Sequence, residues 1–182
     1  AVLNGKCLNT SMGFTPNAGL VMGSRSGDID ASIIPYMEKT LGKTSSEIDI
    51  ILNKESGLLG ISGVSSDARD IEDGIKQGNE RCILANKMYV RRVIDYIAKY
   101  YVELGGCDAI IFTAGVGENA AWLRPMVCKY LGFLGVELDE AASQKACGVE
   151  GIISTPDSKV KLCVIPTNEE LAIARETLAL VK

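Results

Sequence analysis

Arg25 stands in the run Met22-Gly-Ser-Arg-Ser-Gly-Asp-Ile-Asp30, where flanking glycines let the backbone carry a rigid five-donor guanidinium onto a phosphate or a carboxylate. The structural alternative is a loop arginine held between Asp28 and Asp30. A second stretch, Asp108-Ala-Ile-Ile-Phe-Thr-Ala-Gly-Val-Gly-Glu-Asn-Ala120, runs from an apolar strand into a glycine-rich turn and then a helix start. Gly115 and Gly117, lacking a Cβ, can take positive φ and turn amides toward a ligand. A helix opened by Asn119 adds the positive end of its dipole, which suits an anion. Plain chain reversal competes with that role. Asp67 and Arg69, in Gly63-Val-Ser-Ser-Asp-Ala-Arg-Asp70, follow a loop at a helix start and can point toward whatever the loop lines, although capping explains Asp67 equally well. Glu169 falls on the first turn of a helix directly after a strand, at the carboxyl end of a sheet, where open α/β folds bind ligands. A carboxylate there can hold Mg²⁺ or simply complement the helix dipole. An anion-reading arginine, two glycine loops at helix starts and a magnesium carboxylate, without nucleophile or base, suit phosphoryl transfer. Positioning and charge neutralisation do most of the work in that chemistry.

A dinucleotide site competes for the same residues. Gly115, Gly117 and Ala120 fit a GxGxxG/A pattern, and Glu137, about 20 residues on, stands where a ribose-binding acid would. An NAD-dependent dehydrogenase is therefore the rival class. A noncatalytic dimerisation domain is a third.

Composition narrows the field. At 182 residues and 47% apolar content the chain can bury a core as one large domain or two small ones. The net charge of −4 (19 basic against 23 acidic) comes without a basic tract, which argues against nucleic-acid binding. No apolar run is long enough to span a bilayer and the first residues do not form a signal peptide, so no membrane association and a cytoplasmic location are expected. Six cysteines without a CxxC pair read as reduced, buried thiols. The absence of histidine removes the usual general base and zinc ligand from this chain.

The elements that must position these residues can be read from local signals. Asn4-Gly5 predicts a tight hairpin. Residues 11–28, with four glycines and a proline, predict a long ordered loop. Asp30 predicts a helix through Met37, and the capping box Thr44-Ser-Ser-Glu47 a second helix closing near Gly57. Residues 58–66 read as a glycine-rich connection, and Asp67 begins a short acidic helix. Asn79 to Leu104 reads as a long amphipathic helix, with Ile83, Leu84, Met88, Val93, Ile94, Ile97 and Tyr101 on its core side. Strand and helix then alternate: a strand at 108–113, buried on both faces, a helix at 119–130, a strand at 135–138, a helix at 139–147, a strand at 159–165 and a helix at 168–181. Thr167-Asn-Glu-Glu170 is a capping box for the last helix. The pattern implies one compact α/β unit with a helical insertion.

Four motifs, NTSMGFTPNAGLVMGSRSGDID, SGLLGISGVSSDARD, IFTAGVGEN and VIPTNEELAIA, occur in this order and cover nearly the whole chain. Together they strongly resemble the C-terminal half of the acetate kinases, within the acetate and sugar kinase, Hsp70 and actin superfamily. The resemblance implies a ribonuclease H-like (actin-like ATPase) α/β fold with a helical insertion. It also implies ATP and ADP as nucleotide, Mg²⁺ or Mn²⁺ as cofactor, and a short-chain carboxylate as the other substrate, with acetate plus ATP giving acetyl phosphate plus ADP. By resemblance Arg25 matches the arginine that acts on the transferring phosphoryl group and the carboxylate. Asp67, Ala68 and Arg69 match a nucleotide-contacting loop, Gly115, Val116, Gly117, Glu118 and Asn119 the adenosine motif, and Glu169 the magnesium ligand. Family members are roughly twice as long, and the phosphate loop and catalytic histidine of their first half have no counterpart in these residues. The resemblance thus implies that residues 1–182 form a single C-terminal nucleotide-binding domain of a two-domain kinase, inactive alone and able to form a homodimer. Much of the acyl pocket is then expected outside these residues, which leaves a propionate or butyrate kinase as the alternative within the same class.

Overall fold

Asn4 and Gly5 both adopt left-handed backbone, with φ of 52° and 75°. They close the expected turn between β1 (Val2–Leu3) and β2 (Lys6–Cys7), which pair antiparallel with Val2 opposite Cys7. The computed structural model describes residues 1–181. The chain divides into two compact units, residues 1–106 and 107–182.

In the first unit the helices are α1 (Ile33–Leu41), α2 (Ser45–Lys54), α3 (Gly57–Ser62), α4 (Ala68–Lys76) and α5 (Glu80–Leu104). The capping box of α2 forms as expected: the Thr44 hydroxyl accepts from the Glu47 amide at 3.3 Å and the Glu47 carboxylate accepts from the Thr44 amide at 2.8 Å. Asp30 accepts from the Ser32 amide at 2.8 Å, and α1 starts two residues later than expected and runs on to Leu41. The connection expected at 58–66 is partly helical. Gly57, at φ +65°, starts α3, and Leu58 and Ile61 lie on its inner side, against α5. Asn79 caps the 25-residue α5 through the amides of Arg81 and Cys82.

The core of this unit is Leu58, Ile71, Cys82 and Ala85, flanked by Ile61, Ile75 and Tyr89. A Cβ at Gly74 would collide with the Cys82 side chain, so glycine on α4 and small residues on α5 allow a close approach. That choice turns the expected core stripe: Leu84 and Met88 are 50% and 42% exposed, and the buried positions of α5 are Cys82, Ala85, Asn86 and Val90.

The second unit carries a mixed sheet of order β3-β5-β4, made of β3 (Ala109–Phe112), β4 (Gly151–Ile152) and β5 (Lys161–Val164). β3 runs parallel to β5 with Ala109 opposite Lys161, and β4 is antiparallel to β5. β3 lies at the sheet edge. Phe112 is buried while Ile111 is exposed, which corrects the expectation of a strand covered on both faces.

The glycine-rich turn expected before Asn119 is itself helical, α6 (Ala114–Asn119), so Asn119 ends a helix instead of opening one, and the helix expected at 119–130 is the shorter α7 (Leu123–Cys128). Pro125 explains the break, because its ring would clash with the carbonyl four residues back in any helix arriving from the motif. In the first turn of α7 it is tolerated. The 135–138 segment makes only an isolated bridge, Leu138 to Ser154, with Gly135 left-handed at φ +80°. α8 (Glu140–Lys145) and α9 (Glu169–Val181) complete the unit. Its core gathers Leu123, Val127, Leu131, Val136, Ile153, Val160, Leu162 and Val164. The six cysteines are free as expected, yet Cys7 and Cys147 are exposed rather than buried.

Candidate functional site

Arg25 sits at the tip of an ordered loop. The Met22 amide donates to the Arg25 carbonyl at 3.1 Å, the Ser26 amide to the Leu52 carbonyl at 2.9 Å, and the Leu58 and Leu59 amides to the Met22 and Gly23 carbonyls at 2.9 Å each. The tip is thereby laced to the connection between α2 and α3. A Cβ on Gly57 would collide with the Met22 carbonyl, so only glycine admits this approach. The side chain of Arg25 is half-buried and donates through Nη1 to the Pro16 carbonyl at 3.0 Å.

The expected pairing with Asp28 and Asp30 does not form. Asp28 accepts from the Gly19 amide and the Tyr96 hydroxyl, and Asp30 accepts from Ser32. Among the described residues no carboxylate forms a salt bridge with Arg25. Four of its five donors remain for a ligand.

Asp67 is the cap of α4, accepting from the Arg69 amide at 2.9 Å, and it also takes the Arg69 guanidinium as a fork, with Nη2 at 2.5 Å and Nε at 3.0 and 3.1 Å. That side-chain pairing, followed by the Arg69 amide, holds the Asp67 carboxyl down to about 2. The Arg69 side chain is 87% exposed, and Ala68 is half-buried.

In the second unit the turn into α6 is made by Ala114, at φ +56°, while Gly115 and Gly117 lie inside the helix with ordinary backbone. The glycines serve by lacking a side chain: a Cβ on Gly117 would lie 3.2 Å from the Phe112 carbonyl carbon, and one on Gly115 would meet nothing. The Thr167 hydroxyl bonds the Thr113 hydroxyl at 2.9 Å and accepts from the Ala114 amide at 3.1 Å, tying together the turns that follow parallel strands β3 and β5. This use of Thr167 replaces its expected capping box, and Asn168 caps α9 instead by accepting from the Leu171 amide at 3.0 Å.

The two turns frame an open cleft of about 420 Å³ lined by Ala114, Gly115, Glu118, Thr167, Asn168, Glu169 and Glu170. Gly115, Glu118 and Glu169, more than 50 residues apart at the extremes, therefore meet, whereas Val116, Gly117 and Asn119 lie outside the lining. Three carboxylates make the cleft hostile to a polyphosphate unless a cation neutralises them. Their hard oxygens suit a divalent ion that completes its shell with phosphate and water. Among the described residues no cluster of three or more histidine, cysteine or acidic side chains could hold a metal ion by itself.

Arg124 was not singled out in the sequence. It is fully buried, with Nε on the Gly117 carbonyl at 3.0 Å, Nη1 on the Ser143 carbonyl and hydroxyl at 2.7 and 3.3 Å, and Nη2 on the Glu118 and Ala146 carbonyls at 2.6 and 3.1 Å. The guanidinium closes the carboxyl ends of both α6 and α8, where helix dipoles are negative. Its only sequence signal was a lone arginine within an apolar run just after the glycine motif.

The dinucleotide geometry is missing. Glu137 follows no second parallel strand beside β3, since β5 occupies that place, and its carboxylate accepts from the Thr155 hydroxyl at 3.1 Å.

The Acetokinase family model matches residues 1–175. The chain is 54% identical over 181 residues to the acetate kinase of Agathobacter rectalis, covering 100% of this chain and 46% of that protein. Its structure resembles the crystal structure of Porphyromonas gingivalis acetate kinase with a TM-score of 0.93 and 45% identity, over 98% of this chain and 45% of that one. It also resembles a propionate kinase from Francisella tularensis with a TM-score of 0.91 and 42% identity, over 97% of this chain and 44% of that one. The chain spans about half the length of the curated relatives it matches.

Proposed function

The chain belongs to the acetokinase family and has its α/β, actin-like ATPase fold, and we propose that both units form the C-terminal nucleotide-binding half of a two-domain cytoplasmic kinase that transfers a phosphoryl group between ATP and acetate. The observation that carries this assignment is the cleft at the carboxyl ends of β3 and β5, where the glycine motif meets Glu169. In the transfer, a carboxylate oxygen attacks the γ-phosphorus of ATP, the bond to the β-phosphate oxygen breaks, and acetyl phosphate and ADP result. Arg25, with donors to spare, neutralises charge on the transferring group and orients the carboxylate. Asp67, Ala68 and Arg69 contact nucleotide, and Gly115 to Asn119 support the adenosine. Glu169 holds Mg²⁺ or Mn²⁺, which when bound supplies charge neutralisation on the phosphates.

The acyl group is read outside these elements, so a propionate or butyrate kinase stays the second assignment, favoured for propionate by the Francisella neighbour. Alone, the 182-residue chain is proposed to be inactive. Acetyl phosphate turnover by the purified chain would overturn that part, and would also sink the alternative of a noncatalytic dimerisation domain. In the full-length kinase, Glu169→Ala is expected to raise the Mg²⁺ concentration needed for half-maximal turnover by roughly 10-fold or more, since even residues one shell removed from a metal are worth that much. An unchanged magnesium titration would leave Glu169 as a helix-start carboxylate only.

We further propose a homodimer through this half. The outward side of α5 supports it: Leu84, Met88, Arg91, Ala98 and Val102 are exposed at heptad spacing, with Asp95 partly so. Laid antiparallel on a second copy, that seam places Leu84 against Val102, Met88 against Ala98 and Arg91 against Asp95 of the partner, an arrangement with two-fold symmetry. Arg91→Asp sets like charges face to face and is expected to yield a monomer in sedimentation equilibrium. A dimer of unchanged strength would remove α5 from the interface.

A further inference from the structure

The loop that carries Arg25 has a neck as well as a tip. At the neck the Asp28 amide donates to the Gly19 carbonyl at 3.0 Å, and the Gly19 amide donates back to Oδ1 of Asp28 at 2.8 Å. The crossing is too tight for a side chain: Gly27 has φ +71°, and a Cβ there would lie 2.7 Å from the Gly19 and Leu20 carbonyl oxygens. The second carboxylate oxygen of Asp28 takes the Tyr96 hydroxyl at 2.5 Å, and its carbonyl takes Nη2 of Arg92 at 3.1 Å. Tyr96 and Arg92 are one turn apart on α5, so the neck is bolted to the longest and best-capped helix of the unit. Asp28 is the nearest acid in sequence to Arg25, three residues away, yet both of its oxygens are turned elsewhere.

We propose that Asp28, held by the Tyr96 hydroxyl, is the positioning residue of Arg25: it fixes the loop on α5 and, being spent there, leaves the guanidinium without an internal counter-ion and open to an anionic ligand. The inference rests on Arg25 acting on the transferring phosphoryl group. Burial alone would raise the Asp28 carboxyl, but the Tyr96 hydroxyl and Gly19 amide, with Arg92 and Lys99 nearby, carry it below its ordinary value, so the acceptor of these bonds is the carboxylate. The same bond pushes the Tyr96 hydroxyl up to about 12, keeping its proton in place.

The test is steady-state kinetics of the full-length kinase carrying Asp28→Ala, Asp28→Asn, Tyr96→Phe, Arg25→Ala and the double change Asp28→Ala with Arg25→Ala. Misplacing a catalytic group by about 1 Å is worth roughly 10²-fold, so Asp28→Ala is expected to lower kcat by about that factor with the nucleotide KM nearly unchanged. Asp28→Asn keeps an acceptor for Gly19 and a partner for the tyrosine oxygen, and is expected to recover most of the loss. Tyr96→Phe removes one oxygen while retaining the packing, and should fall between the two even if Asp28→Ala proves poorly folded. Because Asp28 acts through Arg25, the double variant should be no slower than Arg25→Ala alone. Multiplied effects in the double variant, or unchanged kcat in both Asp28→Ala and Tyr96→Phe beside a slow Arg25→Ala, overturn the proposal alone. A fast Arg25→Ala overturns the assignment on which it rests, and this proposal with it.

Discussion

Replacing Arg25 by alanine in the full-length kinase is expected to lower turnover by roughly 10³- to 10⁵-fold, the worth of an arginine on a transferring phosphoryl group. That factor corresponds to about 4–7 kcal/mol of transition-state stabilisation. The backbone should not move. What the loop tip contributes to the fold is the Arg25 carbonyl, which accepts from Met22, together with bonds from Ser24 and Ser26, and all of these survive loss of the side chain. Among the described residues the side chain itself gives one hydrogen bond, to the Pro16 carbonyl. A large rate loss with an unchanged melting temperature is therefore the expected signature, read from coupled steady-state assays and a thermal scan of the same preparation. Arg25→Lys should recover little, because a point charge cannot reproduce the planar fork that grips two oxygens at once. A loss below about tenfold in the alanine variant, set against the 10³-fold floor for such arginines, would remove Arg25 from the mechanism.

The largest effect on stability is expected at Arg124. The guanidinium is fully buried with no carboxylate partner among the described residues, and four backbone carbonyls and one hydroxyl accept its protons. Burial pulls its pKa below the usual value, yet a guanidinium stays charged, so those carbonyls carry the whole compensation. Arg124→Met fills the volume but strands the acceptors at the ends of α6 and α8. Leaving a buried acceptor without its donor costs about 1–3 kcal/mol, and a loss of at least that size is expected when several are stranded together. Arg124→Lys has three donors for five contacts and should restore only part of it. The chain has a single tryptophan, Trp122, two residues away at the start of α7, so urea unfolding followed by its fluorescence reports on the right unit. A shift equivalent to less than about 1 kcal/mol, the net worth of one ordinary hydrogen bond, would show that the carbonyls find other partners and that Arg124 is dispensable. The Gly117 and Glu118 carbonyls belong to the glycine motif, so the same variant should loosen the proposed adenosine support.

Much of this was legible in the chain. The capping box at Thr44, the cap at Asp67, the hairpin at Asn4-Gly5 and the length of α5 follow from signals that act within a few residues, and each forms as expected. Four motifs in order sufficed for the family. Errors arose where a local signal had a distant competitor. The Thr167 hydroxyl was drawn from its own helix to Thr113, 54 residues away. The core stripe of α5 turned because Gly74 lets α4 settle on Cys82 and Ala85. Pro125, by contrast, is a local signal, since its ring disfavours a helix continuing from the motif into α7.

Composition, caps and glycine backbone preferences determined which segments become helix or turn, because a few bonded neighbours set those energies. Which side chains meet was decided by packing alone. Asp28 finds Tyr96 across 68 residues instead of Arg25 across three, and Arg124 finds Ser143 across 19. A buried polar group takes the partner that the assembled helices bring within reach, and no spacing along the chain encodes that distance.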